Sequence, residues 1–262
     1  MINKENLFQT FRSRESAERC SDICRTREWF SNEKPEIFAF LVAKIMGDGN
    51  LDENFTSRFI SKNKKDLEAL EKLLNEELFI PVQKMKIRSK IAFGRSFVLQ
   101  VNDSTFGRVL KILGAPQGRK TNVSFNIPNW INSELTKKTF LQGILEDELA
   151  GFRINRGFPN APNFKMAKNP LLKQDLLDFI NGVKNLIEEF DVKCSKVIDG
   201  GMTKSGNVES LFWIQSNAQN IISFSENIGF RFNAEKTEKM NKVVIIAREI
   251  LDRKFDSLKR GI

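Results

Sequence analysis

Two acids occupy the places from which this chain could do chemistry. Asp48 closes the run Phe40-Leu41-Val42-Ala43-Lys44-Ile45-Met46-Gly47 and is followed by Gly49, and Glu148 closes Phe140-Leu141-Gln142-Gly143-Ile144-Leu145-Glu146-Asp147. Ala43 and Gly47 lie four residues apart on one helix face, as do Gly143 and Asp147. Small residues there allow two helix backbones to approach closely. Helices paired in that way bring the acids at their C-terminal ends together. A carboxylate at such an end is opposed by the helix macrodipole. Two converging carboxylates also repel, unless a divalent cation sits between them. Hard oxygen donors of this kind suit Mg²⁺, which keeps several waters and takes the rest of its shell from phosphate.

Composition removes most other chemistries. The 262 residues include no His and no Tyr beside 23 Phe. A His/Ser/Asp triad, a His–Cys pair, an HNH-type nuclease site and a Tyr nucleophile are all excluded. The three cysteines, Cys20, Cys24 and Cys194, are too few for a four-cysteine zinc site, and a mixed Cys/His site is impossible. They read as reduced, structural thiols. No run approaches the roughly 18 apolar residues of a membrane helix, and Met1 to Thr10 lacks the pattern of a secretory signal. A cytoplasmic or organellar interior location and no membrane partner are expected.

The balance of 42 basic against 33 acidic residues, a net charge of +9, points to a polyanionic partner. Strand periodicity says where it would bind. Lys84, Lys86, Arg88 and Lys90 alternate with Met85, Ile87, Ser89 and Ile91, which predicts four cations on one strand face. Ala92-Phe93-Gly94 can turn the chain into a return strand carrying Arg95 and Gln100, with Phe97, Leu99 and Val101 inward. A second, less tidy set comprises Arg153, Asn155, Lys165, Lys168, Lys193, Lys196 and Gln215. A β-ribbon fits the major groove of DNA, where Arg and Lys read guanine and Asn or Gln read adenine.

The frame that must hold these residues is duplicated. Besides the acid-ended runs, Lys64-Lys65-Asp66-Leu67 resembles Lys173-Gln174-Asp175-Leu176, and Asn102 to Gly114 parallels Asn217 to Gly229. The common order counts for more than any one short match. Each copy predicts a helix (35–47 and 134–147), a hairpin (50–60 and 151–168) and a second helix (64–78 and 171–189). A second hairpin (82–102 and 192–216) and a third helix (104–113 and 218–228) follow. The order αββαββα predicts an α+β half whose helices pack on one face of an antiparallel sheet. Residues 1–33 read as a polar basic N-terminal arm, 34–114 as the first half, 115–132 as a linker, and 133–262 as the second half. The second half ends in an amphipathic helix near 236–260.

On these residues the chain resembles the LAGLIDADG homing endonucleases and related maturases, with Asp48 and Glu148 at the motif's final acidic position. The resemblance covers about 36–258. It departs at Lys44, Met46 and Leu149, where the family has an apolar residue, an acid and a glycine. It implies two pseudo-symmetric halves packed through their LAGLIDADG helices, with Ala43, Gly47, Gly143 and Asp147 at the interface and saddle-shaped sheets facing DNA. The two acids would be catalytic and hold Mg²⁺, each metal serving one strand. Lys120 and Lys236, placed alike after the third helix of each half, are candidates for the family's catalytic-pocket lysine. The implied activity is double-strand DNA cleavage by a monomer at a long asymmetric site, leaving short 3′ overhangs. A splicing maturase acting on intron RNA, or a catalytically degenerate DNA-binding protein, is the alternative. Protein splicing needs an amino-terminal nucleophile and usually His, so a free-standing or intron-encoded protein is expected rather than an intein.

Overall fold

Short polar side chains start most of the helices. Asn3, Ser13, Asn63, Asp103 and Asn217 each accept a hydrogen bond from a backbone N–H of the first turn, which satisfies donors that a helix start leaves without partners. The computed structural model describes residues 2–31, 33–90, 96–160 and 162–259. It divides into two compact units, Met1–Gly143 and Ile144–Ile262. Both combine helices with antiparallel sheets, so the fold is α+β.

In the first unit, α1 (Lys4–Phe8) and α2 (Arg14–Thr26) precede α3 (Pro35–Met46). Next come β1 (Asn50–Leu51), β2 (Ser57–Ser61), α4 (Lys64–Leu78), β3 (Met85–Lys90), β4 (Ser96–Val101) and α5 (Ser104–Ile112). The sheet runs in the order β1-β2-β4-β3, all antiparallel. Helix α4 lies against β2, β3 and β4 and buries Leu67, Leu70, Leu74 and Leu78, the stripe its helical spacing predicts. Within residues 1–33, expected to form a polar arm, the described residues include two helices beside α5. Leu7, Ala17, Cys20, Cys24 and Trp29 are buried there, and Trp29 meets Phe38 and Phe106 ring to ring.

The helix α6 (Glu134–Glu148) runs from the first unit into the second. The second unit continues with β5 (Arg153–Asn155), β6 (Phe158–Asn160), β7 (Asn163–Lys168), α7 (Lys173–Glu188), β8 (Ile198–Met202), β9 (Val208–Trp213), α8 (Ala218–Asn227) and α9 (Ala234–Lys259). Its main sheet has the order β7-β9-β8, with α7 packed against β7 and β9. The single hairpin expected over 151–168 is a departure. Among the described residues, strands β5 and β6 pair only with each other, while β7 joins β9. Among the described residues no helix is long and apolar enough to cross a membrane.

Candidate functional site

The helix that leads to Asp48 ends early. Helix α3 stops at Met46, the Gly47 N–H bonds to Ala43 O at 2.8 Å and the Gly49 N–H to Lys44 O at 2.9 Å. Asp48 between them is exposed. A Cβ at position 49 would stand 2.5 Å from Lys44 O and 2.9 Å from Arg58 O, so the backbone there admits glycine alone. Helix α6 behaves differently. It continues through Glu148, and the Leu149 N–H makes one more helical bond to Leu145 O at 3.2 Å. Leu149 is buried and bridges to Phe164. The second copy leaves its helix later than the first, and a leucine rather than a glycine is accommodated just past its end.

One close helix approach lies at Gly143 and Ala43. A Cβ on Gly143 would stand 2.6 Å from Phe40 O and 2.8 Å from the Ala43 Cβ, so the backbones of α3 and α6 approach within the first unit as glycine alone permits. Gly47 is the residue that caps α3. Asp147 lies with Glu148 on the wall of a cleft of about 360 Å³ in the second unit.

The C-terminal end of α6 is fixed by two side chains of that unit. Glu146 is buried, and its Oε1 accepts the backbone N–H groups of Arg231, Phe232 and Asn233 at 2.6, 2.5 and 3.2 Å. Lys236 sends its Nζ to the carbonyls of Leu145, Glu146 and Leu149 at 3.2, 2.7 and 2.5 Å. An ammonium on the last carbonyls offsets the negative end of the helix dipole at the turn that carries Glu148. Lys44, buried in the last turn of α3, puts a cation near the end of that helix as well. Lys120 is half-buried in a short 3-10 turn, Lys120–Asn122.

The same cleft is lined by Asn163, Lys165 and Glu209, with Lys165 Nζ 3.3 Å from Glu209 Oε2. Sequence reasoning missed Glu209. Its only signal is register, for it stands across from Ala167 on β9, in the row next to the one that holds Lys165. Among the described residues no group of three or more His, Cys, Asp or Glu is placed to hold a metal ion. The donors at Asp48 and Glu148 are hard carboxylate oxygens, open or partly open to solvent. Each by itself suits an ion that keeps most of its water and takes phosphate oxygens, rather than one needing an all-protein cage.

Basic residues divide by strand parity. In the first sheet, Arg58, Gln100 and Lys86 are directly paired across β2, β4 and β3, and Asn50 of β1 pairs with Arg58. They form one cross-strand row, and Arg88 lies on the same face of β3. Arg58, which the sequence reading did not select, also bonds Asp52 and Asn50. Lys84 is a correction. It ends a 3-10 turn begun after Pro81, before β3, and its Nζ lies 3.0 Å from the buried Asp103 carboxylate, so it is not part of the strand's alternation. Arg95 and the Lys90 side chain lie outside the described residues.

Lys168 is a second correction. It is 1% exposed and its ammonium is pushed down by burial, partly offset by Asp175. Lys165 and Lys168 are three residues apart on one strand, an odd spacing that puts them on opposite faces. Lys165, Arg153, Asn155, Lys193, Lys196 and Gln215 are all exposed, with Gln215 just beyond the end of β9.

No family model matches the chain. Similar curated proteins include the tRNA-splicing ligase RtcB of Methanopyrus kandleri, 27% identical over 224 residues, 79% of this chain and 22% of that protein. Another is the replication factor C small subunit of Methanocaldococcus jannaschii, 25% identical over 225 residues, 80% of this chain and 12% of that protein. The chain thus spans less than a quarter of the length of either. Among solved structures, a complex of I-DmoI with DNA and Ca is similar at 14% identity and a TM-score of 0.48, covering 78% of this chain and 96% of that one. The N-terminal LAGLIDADG domain of DUF199/WhiA is similar at 13% identity and a TM-score of 0.49, covering 79% and 87%. The solved structures that resemble this chain thus include the homing endonuclease I-DmoI and a LAGLIDADG domain.

Proposed function

We propose that this chain is a site-specific DNA endonuclease that cuts both strands by metal-assisted phosphodiester hydrolysis, with Asp48 and Glu148 as its metal-binding acids. The observation that carries the reading is the glycine-permitted packing of α3 on α6 at Gly143. Both helices lead within five residues of that seam, Ala43 in one and Gly143 in the other, to an acid. The outward row Asn50, Arg58, Gln100 and Lys86 supports the choice of partner, since these are the side-chain types that read base edges and phosphates. A divalent ion such as Mg²⁺, when bound there, polarises the phosphate and lowers the pKa of a bound water. The chain's own part is to hold the two carboxylates in place and orient the duplex. In this reading Lys236 is a positioning residue, since its ammonium is spent on the α6 carbonyls.

The curated relatives argue that the likeness belongs to a segment. A tRNA-splicing ligase and a replication factor subunit have unrelated activities and match over minor shares of their lengths. The activity of neither relative is carried over. The enzyme would act as a monomer and leave short 3′ overhangs.

The test is to incubate the protein with a randomised DNA library and Mg²⁺, then sequence the cut ends. With a cut site in hand, Asp48→Asn is expected to abolish cleavage while binding of that site stays within about twofold, because one exposed carboxylate contributes little to affinity beside the phosphate contacts. A variant that cuts at the wild-type rate removes Asp48 from the chemistry. Specific binding by the wild-type protein without any cleavage makes it a DNA-binding module.

A further inference from the structure

Between Ala150 and Asn163 the second copy contains something the first lacks. In the first, a short loop joins β1 to β2, closed by the Asp52 N–H on Thr56 O at 3.1 Å. In the second, the Ala150 N–H bonds to Asn163 O at 2.8 Å, and residues 153–160 form the separate hairpin β5–β6, whose strands lie against α9. Its turn, Arg156-Gly157, has both φ angles positive, 51° and 80°, the arrangement of a tight two-residue hairpin.

The register divides the hairpin's faces. Arg153 pairs with Asn160 and Asn155 with Phe158, so these four side chains share one face. All four are exposed, and Phe158 retains 66% of its surface. From Leu149 to Gln174 the sequence has no acid. Among the described residues neither Arg153 nor Arg156 is in an ion pair. A large aromatic left in water beside amides and unpaired guanidinium groups, in a stretch without an acid, presents a positive face that suits a polyanion. Its chemistry matches a major-groove surface. Arginine reads guanine, asparagine reads adenine, and an apolar ring packs on the thymine methyl group.

We propose that β5–β6 is an added DNA-reading finger in which Phe158 packs on thymine methyl groups, with Arg153 and Arg156 on the flanking phosphates. The proposal rests on the DNA reading above and deepens it. The probes are a labelled alternating A–T duplex and its uracil counterpart, which lacks only the methyl groups, without added metal. Phe158→Ala is expected to weaken binding to the A–T duplex about fivefold, the scale of burying a methyl-sized group. It should leave affinity for the uracil duplex, the salt slope and the thermal midpoint unchanged. Arg153→Ala/Arg156→Ala is expected to lower the salt slope by about 2. Equal weakening of Phe158→Ala on both duplexes, or a fall in its thermal midpoint, overturns the methyl contact. If Phe158→Ala binds like the wild type while Lys86→Ala/Arg88→Ala binds weakly, the finger is wrong and the sheet face stands. No binding of either duplex by the wild-type protein overturns both readings.

Discussion

Asp103 does three jobs at one position. Its Oδ1 caps α5 through the Thr105 and Phe106 N–H groups, and its Oδ2 takes Arg27 at 2.8 Å and Lys84 at 3.0 Å. Burial by itself would push this carboxyl up. The Arg27 guanidinium, the Lys84 ammonium and the Phe106 amide outweigh burial and hold it below the ordinary carboxylate range. A depressed carboxyl stabilises the fold at every pH above its unfolded value, about 4, and that stability is lost as pH falls from there toward the lower folded value. Asp103→Asn breaks a pair whose members are 1% and 9% exposed. We expect it to cost about 3 to 5 kcal/mol at neutral pH and to flatten the loss of stability as pH falls below about 4. Urea midpoints across that range check both effects; an unchanged acid slope would show that other carboxylates dominate it.

Elements were legible where one periodicity ran without interruption. The 3.6-residue pattern over 64–78 coincides with α4, Lys64–Leu78, and 104–113 lies within a residue of α5, Ser104–Ile112. Strand faces were harder, because a period of two reverses with every slip of one residue. Pro81 sets a 3-10 turn that takes Lys84 off the strand, and the alternation begins only at Met85. Lys165 and Lys168 were grouped by charge although their spacing is odd. Arg58 was readable, since Ser57 and Phe59 face inward on either side of it, but the sequence reading assigned no faces to that strand. Glu209 was not readable locally, since its partner Lys165 lies 44 residues away. The Gly143 seam belongs to this scale too. Gly143→Val drives branched carbons into Phe40 O and Ala43, at 2.6 and 2.8 Å already from a bare Cβ. We expect a loss of about 1 to 3 kcal/mol and cleavage reduced further than stability accounts for, measured at a temperature where the variant is fully folded. A variant as stable and active as the wild type would mean that this seam does not position the acids.

For the molecule as a whole, net charge overstates what could engage the proposed DNA partner. Many cations are neutralised at home, as in the Lys64–Glu68, Lys239–Glu235 and Lys242–Glu238 pairs along helix surfaces. Among the described residues Lys86, Arg88, Arg153, Arg156, Lys193 and Lys196 are in no ion pair, and all six are exposed. Each such cation set on a phosphate releases counterions and adds about 0.9 to the steepness of log affinity against log salt. Six of them predict a slope of about −5. Lys86→Ala/Arg88→Ala and Lys193→Ala/Lys196→Ala should each lower its magnitude by about 2, whereas Lys239→Ala, which removes a self-neutralised charge, should leave it unchanged. Binding isotherms over a range of KCl concentrations separate these cases. If the response is shallow in the wild-type protein, or falls as much for Lys239→Ala as for the strand variants, affinity follows overall charge and the exposed cations have no assigned phosphates.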